Sequence, residues 1–175
     1  MIEHKTFPIL ALALVLIPFF PSCGYRLRGT GSSLPPHIRS IQVPMFKNQT
    51  TRYQLDLRLT ESVRDELVAR GQLEVKAEGS ESDAVLLGEI RTFKALPIGF
   101  GQDASADSYN IVIVAKVVLR DLINNRVLFS NSNFTYQEEY DVPEGTDFET
   151  VQQEAIERVA VKFARTLIIN ILEGF

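Results

Sequence analysis

The sequence predicts an α+β fold: a two-layer sandwich in which two amphipathic helices pack on one face of a mixed four-stranded sheet. Two runs, residues 52–70 and 147–172, carry apolar residues at helical spacing. Four shorter segments alternate in the manner of half-buried strands, and together they give the order β-α-β-β-β-α. Because two helices need a common surface for their apolar stripes, the sheet should supply it and leave its opposite face open.

The first strand is predicted at residues 37–46, with one face made of Ile41, Val43 and Met45. Pro44 should lie near the end of this strand or on an edge, because proline donates no hydrogen bond to a ladder. Residues 48–51 are a cap-type cluster before the first helix at 52–70. That helix ends at Gly71, and its stripe consists of Leu55, Leu59, Val63 and Leu67.

Three further strands are predicted at residues 84–93, 111–120 and 127–137. Residues 73–76 form a possible short extension into the sheet, and residues 97–108 are glycine-rich and predict a mobile loop. Asn124 and Asn125 favour a tight hairpin, after which the last strand returns antiparallel. The terminal helix stripe comprises Phe148, Ala155, Ile156, Val159, Ala160, Phe163, Leu167 and Ile171.

The N-terminal residues resemble an export signal. Lys5 precedes an uncharged run at residues 7–20, which is too short for a comfortable transmembrane helix. Cys23 follows between Ser22 and Gly24, as in a bacterial lipoprotein signal, where the cysteine becomes the first mature residue and carries acyl chains such as palmitate. Two alternatives are an ordinary signal cut nearby, which leaves a free thiol, and an uncleaved anchor.

This interpretation divides the chain into a signal peptide at 1–22, a lipidated tether at 23–36 and one domain at 37–175. The tether is rich in glycine, serine and proline. No aspartate follows Cys23, and in the lipoprotein class that absence favours the outer membrane over the inner one. We therefore expect a periplasm-facing protein held to the outer membrane by its lipid.

Composition argues against several functional classes. The chain has a net charge of −4 and no basic run, which disfavours nucleic acid as a partner. Its single cysteine is assigned to lipid, so no disulfide is expected, and His37 is the one histidine beyond the signal. These counts exclude Cys/His catalysis and a histidine-cluster metal site, so we expect neither an enzyme nor a cofactor.

The open face of the sheet is the candidate binding surface. Its predicted apolar members are Val85, Leu87, Val112, Val114 and Val118. Arg91, Lys116 and Arg120 lie among them, and Arg126 follows the hairpin. Apolar surface with basic residues suits a phosphorylated amphiphile, because arginine and lysine both bind phosphate. The alternative is that these charges protect a half-exposed sheet from aggregation.

Short motifs along the chain resemble one known family. They begin with Cys23-Gly24-Tyr25, Leu27, Gly29 and Leu34-Pro35, and continue with Ile41-x-Val43-Pro44-x-Phe46-x-Asn48-x-Thr50. Leu55, Leu59, Leu67 and Gly71 follow, and then Asp83-Ala84-x-Leu86-x-Gly88-x-Ile90. Together these residues resemble LptE, the lipopolysaccharide-assembly lipoprotein family of the Gram-negative outer membrane.

The resemblance implies a non-enzymatic partner protein. Members of the family sit largely inside the β-barrel LptD, help it fold, plug it and assist delivery of lipopolysaccharide to the outer leaflet. Their fold is described as a four-stranded sheet with two helices. Basic residues near strand ends are implicated in lipopolysaccharide binding, so Arg91, Lys116, Arg120 and Arg126 are the candidates here.

Two other functions fit parts of the same pattern. Lipoprotein activators of peptidoglycan synthases also have a strand, a Phe-x-Asn-x-Thr step and a helix ending in glycine. Their domains usually follow a long disordered linker, whereas the tether here is short, which favours a domain kept at the membrane. An outer-membrane pore subunit is the third alternative, and it would require self-association.

Overall fold

The computed structural model describes residues 33–101, 106–143, 146 and 148–174, all within one compact unit, Gly31–Phe175. The predicted signal peptide and the predicted lipidation site, Cys23, lie outside the described residues. The strands are β1 Ser40–Gln42, β2 Lys47–Asn48, β3 Glu74–Lys76, β4 Ala84–Phe100, β5 Ala106–Asp121 and β6 Arg126–Asp141. The helices are α1 Leu55–Arg70 and α2 Phe148–Glu173.

The sheet is mixed, as predicted, but it has six strands and not four. Its order is β3-β1-β4-β5-β6, and β2 also pairs with β4. β1 runs parallel to β3 and β4, and β2 runs parallel to β4, whereas β4, β5 and β6 are antiparallel neighbours. One additional strand is the short extension, now β3 at the sheet edge. The other is β2, which begins just after the predicted end of the first strand and is separated from β1 by a break in the pairing.

The break falls at Pro44, between β1 and β2. Val43 is buried there, but Met45 points outward and Phe46 turns into the core, so the prediction that Met45 shares the inward face is wrong. The backbone N–H of Phe46 donates to the Thr60 hydroxyl in α1 at 3.0 Å. The Phe46 ring fills the space above Gly88, where an added Cβ would lie 2.5 Å from the ring. Glycine is therefore required on β4 so that this ring can pack.

Helix α1 begins at Leu55, three residues later than predicted. The Asn48 side chain closes a tight loop instead of capping the helix: its Oδ1 accepts from the Thr50 N–H at 2.9 Å and its Nδ2 donates to the Arg52 carbonyl at 2.7 Å. The predicted stripe is fully buried, and Gly71 ends the helix in the left-handed conformation with φ 61°, as expected.

The β4–β5 hairpin is longer than the sequence indicated. Residues 97–100 and 106–108 were expected in a mobile loop, yet Pro97 pairs with Tyr109 and Phe100 with Ala106. Proline is tolerated here because no described strand pairs with the other side of β4 beyond Ile90. The last hairpin is confirmed: Asp121 pairs with Arg126 across a four-residue turn in which Asn125 has φ 48°.

The core lies between the helices and the inward face of the sheet. Phe163 of α2 is fully buried and meets Phe134 of β6 edge-on, with ring centroids 5.3 Å apart. Every described member of the predicted α2 stripe is buried, whereas the side chain of Phe148 lies outside the described residues. Arg58 of α1 and Glu157 of α2 form an ion pair at 3.3 Å, so the two helices also contact each other.

Candidate functional site

Strands β4 and β5 have one covered face and one uncovered face. The inward side chains of β5 are buried, whereas the side chains that alternate with them keep part of their surface exposed. We call the uncovered side of these strands the outer face. It carries Val85, Leu87, Val112, Val114, Lys116, Val118 and Arg120, which are the residues that the sequence predicted to lie there.

Arg91 lies at a β-bulge in β4. The register between β4 and β5 shifts between Ile90 and Thr92, which moves Thr92 onto the outer face and turns Phe93 toward the core. Simple alternation along the strand would place Phe93 on the same face as Arg91, and the bulge breaks that alternation. The Arg91 guanidinium binds Glu89 Oε1 at 3.2 Å and crosses β5 to the Ser132 carbonyl of β6 at 3.1 Å.

A groove of about 300 Å³ lies on the outer face beside the break between β1 and β2. Leu87 and Val118 are directly opposite each other on its floor, and Glu89 is opposite Lys116. Lys47 enters from β2 on the other wall. Neither lysine forms an ion pair with any side chain that the structure describes. The groove thus combines an apolar floor with two lysines that lie on either side of Glu89 and outside any ion pair of the described residues.

The other two predicted cations lie elsewhere. Arg120 is exposed and pairs across the sheet with Val85 and Val127, four residues along β5 from Lys116. That spacing corresponds to about 13 Å. Arg126 begins β6, after the turn. The structure therefore brings Arg91 and Lys116 together but separates them from Arg120 and Arg126.

Asp121 is a buried carboxylate that organises this turn. Its Oδ1 accepts the backbone N–H groups of Ile123 and Asn124, each at 3.0 Å. Its Oδ2 accepts from Asn124 Nδ2 at 2.9 Å and lies 2.9 Å from His37 Nε2 and 3.2 Å from Arg126 Nε. Burial alone would raise the pKa of Asp121, but the hydrogen bonds from Asn124, His37 and Arg126 outweigh it and hold the pKa well below its usual range.

Sequence reasoning missed Lys47 and Met45 as groove residues. Met45 was predicted inside the first strand and Lys47 just after it. Their position together on one wall of the groove was therefore not expected. The signal that could have found them is Pro44, since a proline inside a strand pattern argues for a break and a change of direction.

The described residues contain neither a metal-binding cluster nor a helix that could span a membrane. No group of three or more His, Cys, Asp or Glu side chains among them could hold a metal ion. In the same part of the chain, neither helix combines the length and apolar character needed to span a bilayer.

The fold and the outer face define a class: a small α+β domain with two helices, a mixed sheet and an uncovered surface of basic and apolar residues. The family model for LptE, described as lipopolysaccharide-assembly, matches residues 38–171. The chain belongs to this family. No curated relative matches the sequence.

Solved structures share the fold at low sequence identity. A hypothetical protein, CT253, from Chlamydia trachomatis is 10% identical with a TM-score of 0.55, covering 79% of this chain and 97% of that one. Protein XCC0632 from Xanthomonas campestris is 16% identical with a TM-score of 0.54, covering 80% and 90%. Lipoprotein GNA1162 from Neisseria meningitidis is 13% identical with a TM-score of 0.44, covering 70% and 98%.

Proposed function

We propose that this protein is a non-enzymatic lipoprotein, acylated at Cys23, that faces the periplasm from the outer membrane. It partners and plugs an LptD-type β-barrel and assists the assembly of lipopolysaccharide at the outer surface. Membership of the lipopolysaccharide-assembly family supports the proposed role in lipopolysaccharide assembly. The apolar run before Cys23 supports a lipid anchor at this cysteine. The absence of an aspartate after Cys23 supports the outer membrane as its location.

We propose that lipopolysaccharide binds at the groove of the outer face. The observation that carries this assignment is the pair of lysines, Lys47 and Lys116, above the apolar floor of Leu87 and Val118; neither forms an ion pair with a described side chain. Phosphate groups on the headgroup would bind the lysines, and apolar parts of the lipid would cover the floor. A volume near 300 Å³ is at the lower end of the range for ligand pockets, so the groove would hold part of the headgroup and not the whole lipid.

Arg91 contributes less directly to this site. Its guanidinium already binds Glu89 and the Ser132 carbonyl, which fixes it at the rim. It would add a third positive charge beside the groove without being free to bind phosphate through both of its terminal nitrogens.

The partner is tested by copurification from outer membranes with the full chain as bait. Recovery of an LptD-sized barrel is the expected result. Recovery of a penicillin-binding synthase would favour the peptidoglycan-activator function, and recovery of a homo-oligomer would favour a pore subunit. Either of these results without the barrel would contradict the proposal.

The ligand is tested by charge reversal in the groove. Lys47→Glu and Lys116→Glu should each weaken lipopolysaccharide binding about tenfold, because a hydrogen bond between charged groups contributes roughly 1.5 kcal/mol or more. Arg91→Glu should have a smaller effect. Binding of the purified variants to lipopolysaccharide would be measured by titration.

The matched control is Arg165→Glu, which makes the same change in net charge on an exposed position of α2. Its affinity should stay at the wild-type level. If Lys47→Glu and Lys116→Glu also bind normally, the groove is not the site; if Arg165→Glu weakens binding equally, only net charge matters.

A further inference from the structure

Glu89 is an acidic residue in a groove whose other charged groups are basic. Lys47 of β2 is its register partner on one side, and Lys116 of β5 is its register partner on the other. Side chains in directly adjacent positions on one face of a sheet lie about 5 Å apart at their Cβ atoms. Among the described residues that line the groove, Glu89 is the one carboxylate. The proposed phosphate site therefore contains a fixed negative charge between its two lysines.

Arg91 holds this carboxylate from the rim of the groove. Its Nε donates to Glu89 Oε1 at 3.2 Å, and its Nη1 donates to the Ser132 carbonyl at 3.1 Å. Ser132 lies where the register between β5 and β6 shifts, beside Lys116. Arg91 thus reaches over the position of Lys116, and its charge adds to that of the lysines.

The charges of the groove and its rim match one particular kind of anion. Lys47, Lys116 and Arg91 against Glu89 leave a formal excess of two positive charges. A phosphate monoester carries about −1.5 to −2 at neutral pH, so one such group would neutralise the groove. A diphosphate group is more negative, and its additional charge would be repelled by Glu89 with no cation left to compensate it.

We propose that Glu89 sets the specificity of the groove, because it limits the site to a single phosphate monoester and disfavours a diphosphate group. Without this carboxylate, the three cations would favour the more highly charged group. This inference rests on the proposed function of the groove as a phosphate site. It goes further by naming the class of phosphate that is accepted and the residue that selects it.

The experiment uses three probes with the same short apolar chain: butyl phosphate, butyl diphosphate and the neutral butanol. Each is titrated into the full chain in neutral detergent, and NMR follows the methyl groups of Leu87 and Val118 on the groove floor. In the wild-type protein, butyl phosphate should shift these signals at lower concentration than butanol. Butyl diphosphate should bind within about twofold of butyl phosphate.

Three variants separate the charge of the groove from the charge of the whole protein. Glu89→Gln should raise the preference for diphosphate over phosphate about fivefold, because one nearby negative charge is lost. The double variant Glu89→Gln/Arg91→Gln has the wild-type formal charge in the groove, so its preference should return to the wild-type value. Glu61→Gln makes the same change in net charge at an exposed position of α1 and should leave the preference unchanged.

A preference in Glu89→Gln equal to that of the wild type would overturn the inference. A double variant that keeps the preference of Glu89→Gln would also overturn it, because the preference would then not follow the charge of the groove. With either result, methyl shifts caused by butyl phosphate in the wild type would leave the groove standing as the phosphate site. If butyl phosphate shifts the methyl signals no more than butanol does, the proposed site and this inference fail together.

Discussion

At the scale of single residues, the buried carboxylate of Asp121 shows what one side chain can organise. It holds the turn closed through two backbone N–H groups and draws His37 and Arg126 onto the same oxygen. A buried charge is costly unless it is paired and hydrogen-bonded, and Asp121 is both. The residue thus connects the start of the described chain, at His37, to the β5–β6 turn.

The stability that Asp121 provides should depend on pH. Its pKa is lowered in the folded protein, so its contribution is complete above its unfolded pKa, about 3.9. The contribution is lost as pH falls below that value toward the folded pKa. Replacing Asp121 with asparagine should therefore reduce the free energy of unfolding strongly near neutral pH and progressively less in acid, as measured by urea denaturation.

A matched variant, Asp65→Asn, removes a carboxylate from an exposed position of α1. It separates the loss of the buried network from a general change in charge. A difference between wild type and Asp121→Asn that stays constant from neutral pH to well below pH 4 would contradict the assigned role.

No sequence pattern singles out Asp121, and Arg126 was predicted to contact the ligand. Nothing in a linear pattern shows that His37 and Asp121, 84 residues apart, meet in the fold. Lys116 and Arg120 could be placed on the outer face from alternation alone, because β5 keeps a strict period through both positions. Lys47 could not, since the direction of the chain after Pro44 depends on how Phe46 packs.

At the scale of elements, the helices were the most predictable part of the fold. Their stripes repeat over several turns, and both stripes are buried in the structure wherever their side chains are described. The strands were less predictable where glycine, proline and polar residues dominate, as in residues 97–108. Those residues pair because the neighbouring hairpin strands continue, a tertiary effect that overrides local propensity.

Two residues of α2 that lie two positions apart provide a test of how this helix packs. Phe163 is fully buried against Phe134, whereas Val161 is 59% exposed. Phe163→Ala should lower the free energy of unfolding by about 3–5 kcal/mol through lost contacts and a cavity. Val161→Ala should change it by about 0.5 kcal/mol or less.

Chemical denaturation of both variants gives these values. Similar losses for Phe163→Ala and Val161→Ala would mean that α2 does not face the sheet as described. The comparison keeps the helix and the distance from its ends nearly constant, whereas the two side chains differ in burial and in size.

At the scale of the whole molecule, the sequence predicted the α+β class and the antiparallel return of the last strand, but not the strand count. The two additional strands, β2 and β3, have two and three residues. Segments this short carry almost no periodic signal, and their pairing depends on long-range neighbours. The proteins from Chlamydia and Xanthomonas show that the same fold is compatible with identities of 10% and 16%.

The contact between Ser33 and the last turn of α2 joins residues 138 positions apart. A ribosome makes Ser33 among the first residues of the domain and Ile171 among the last. The docking site for the N-terminal segment therefore does not exist until synthesis is nearly finished. Until then the backbone N–H and the hydroxyl of Ser33 cannot make these hydrogen bonds, and completion of α2 fixes the start of the described chain.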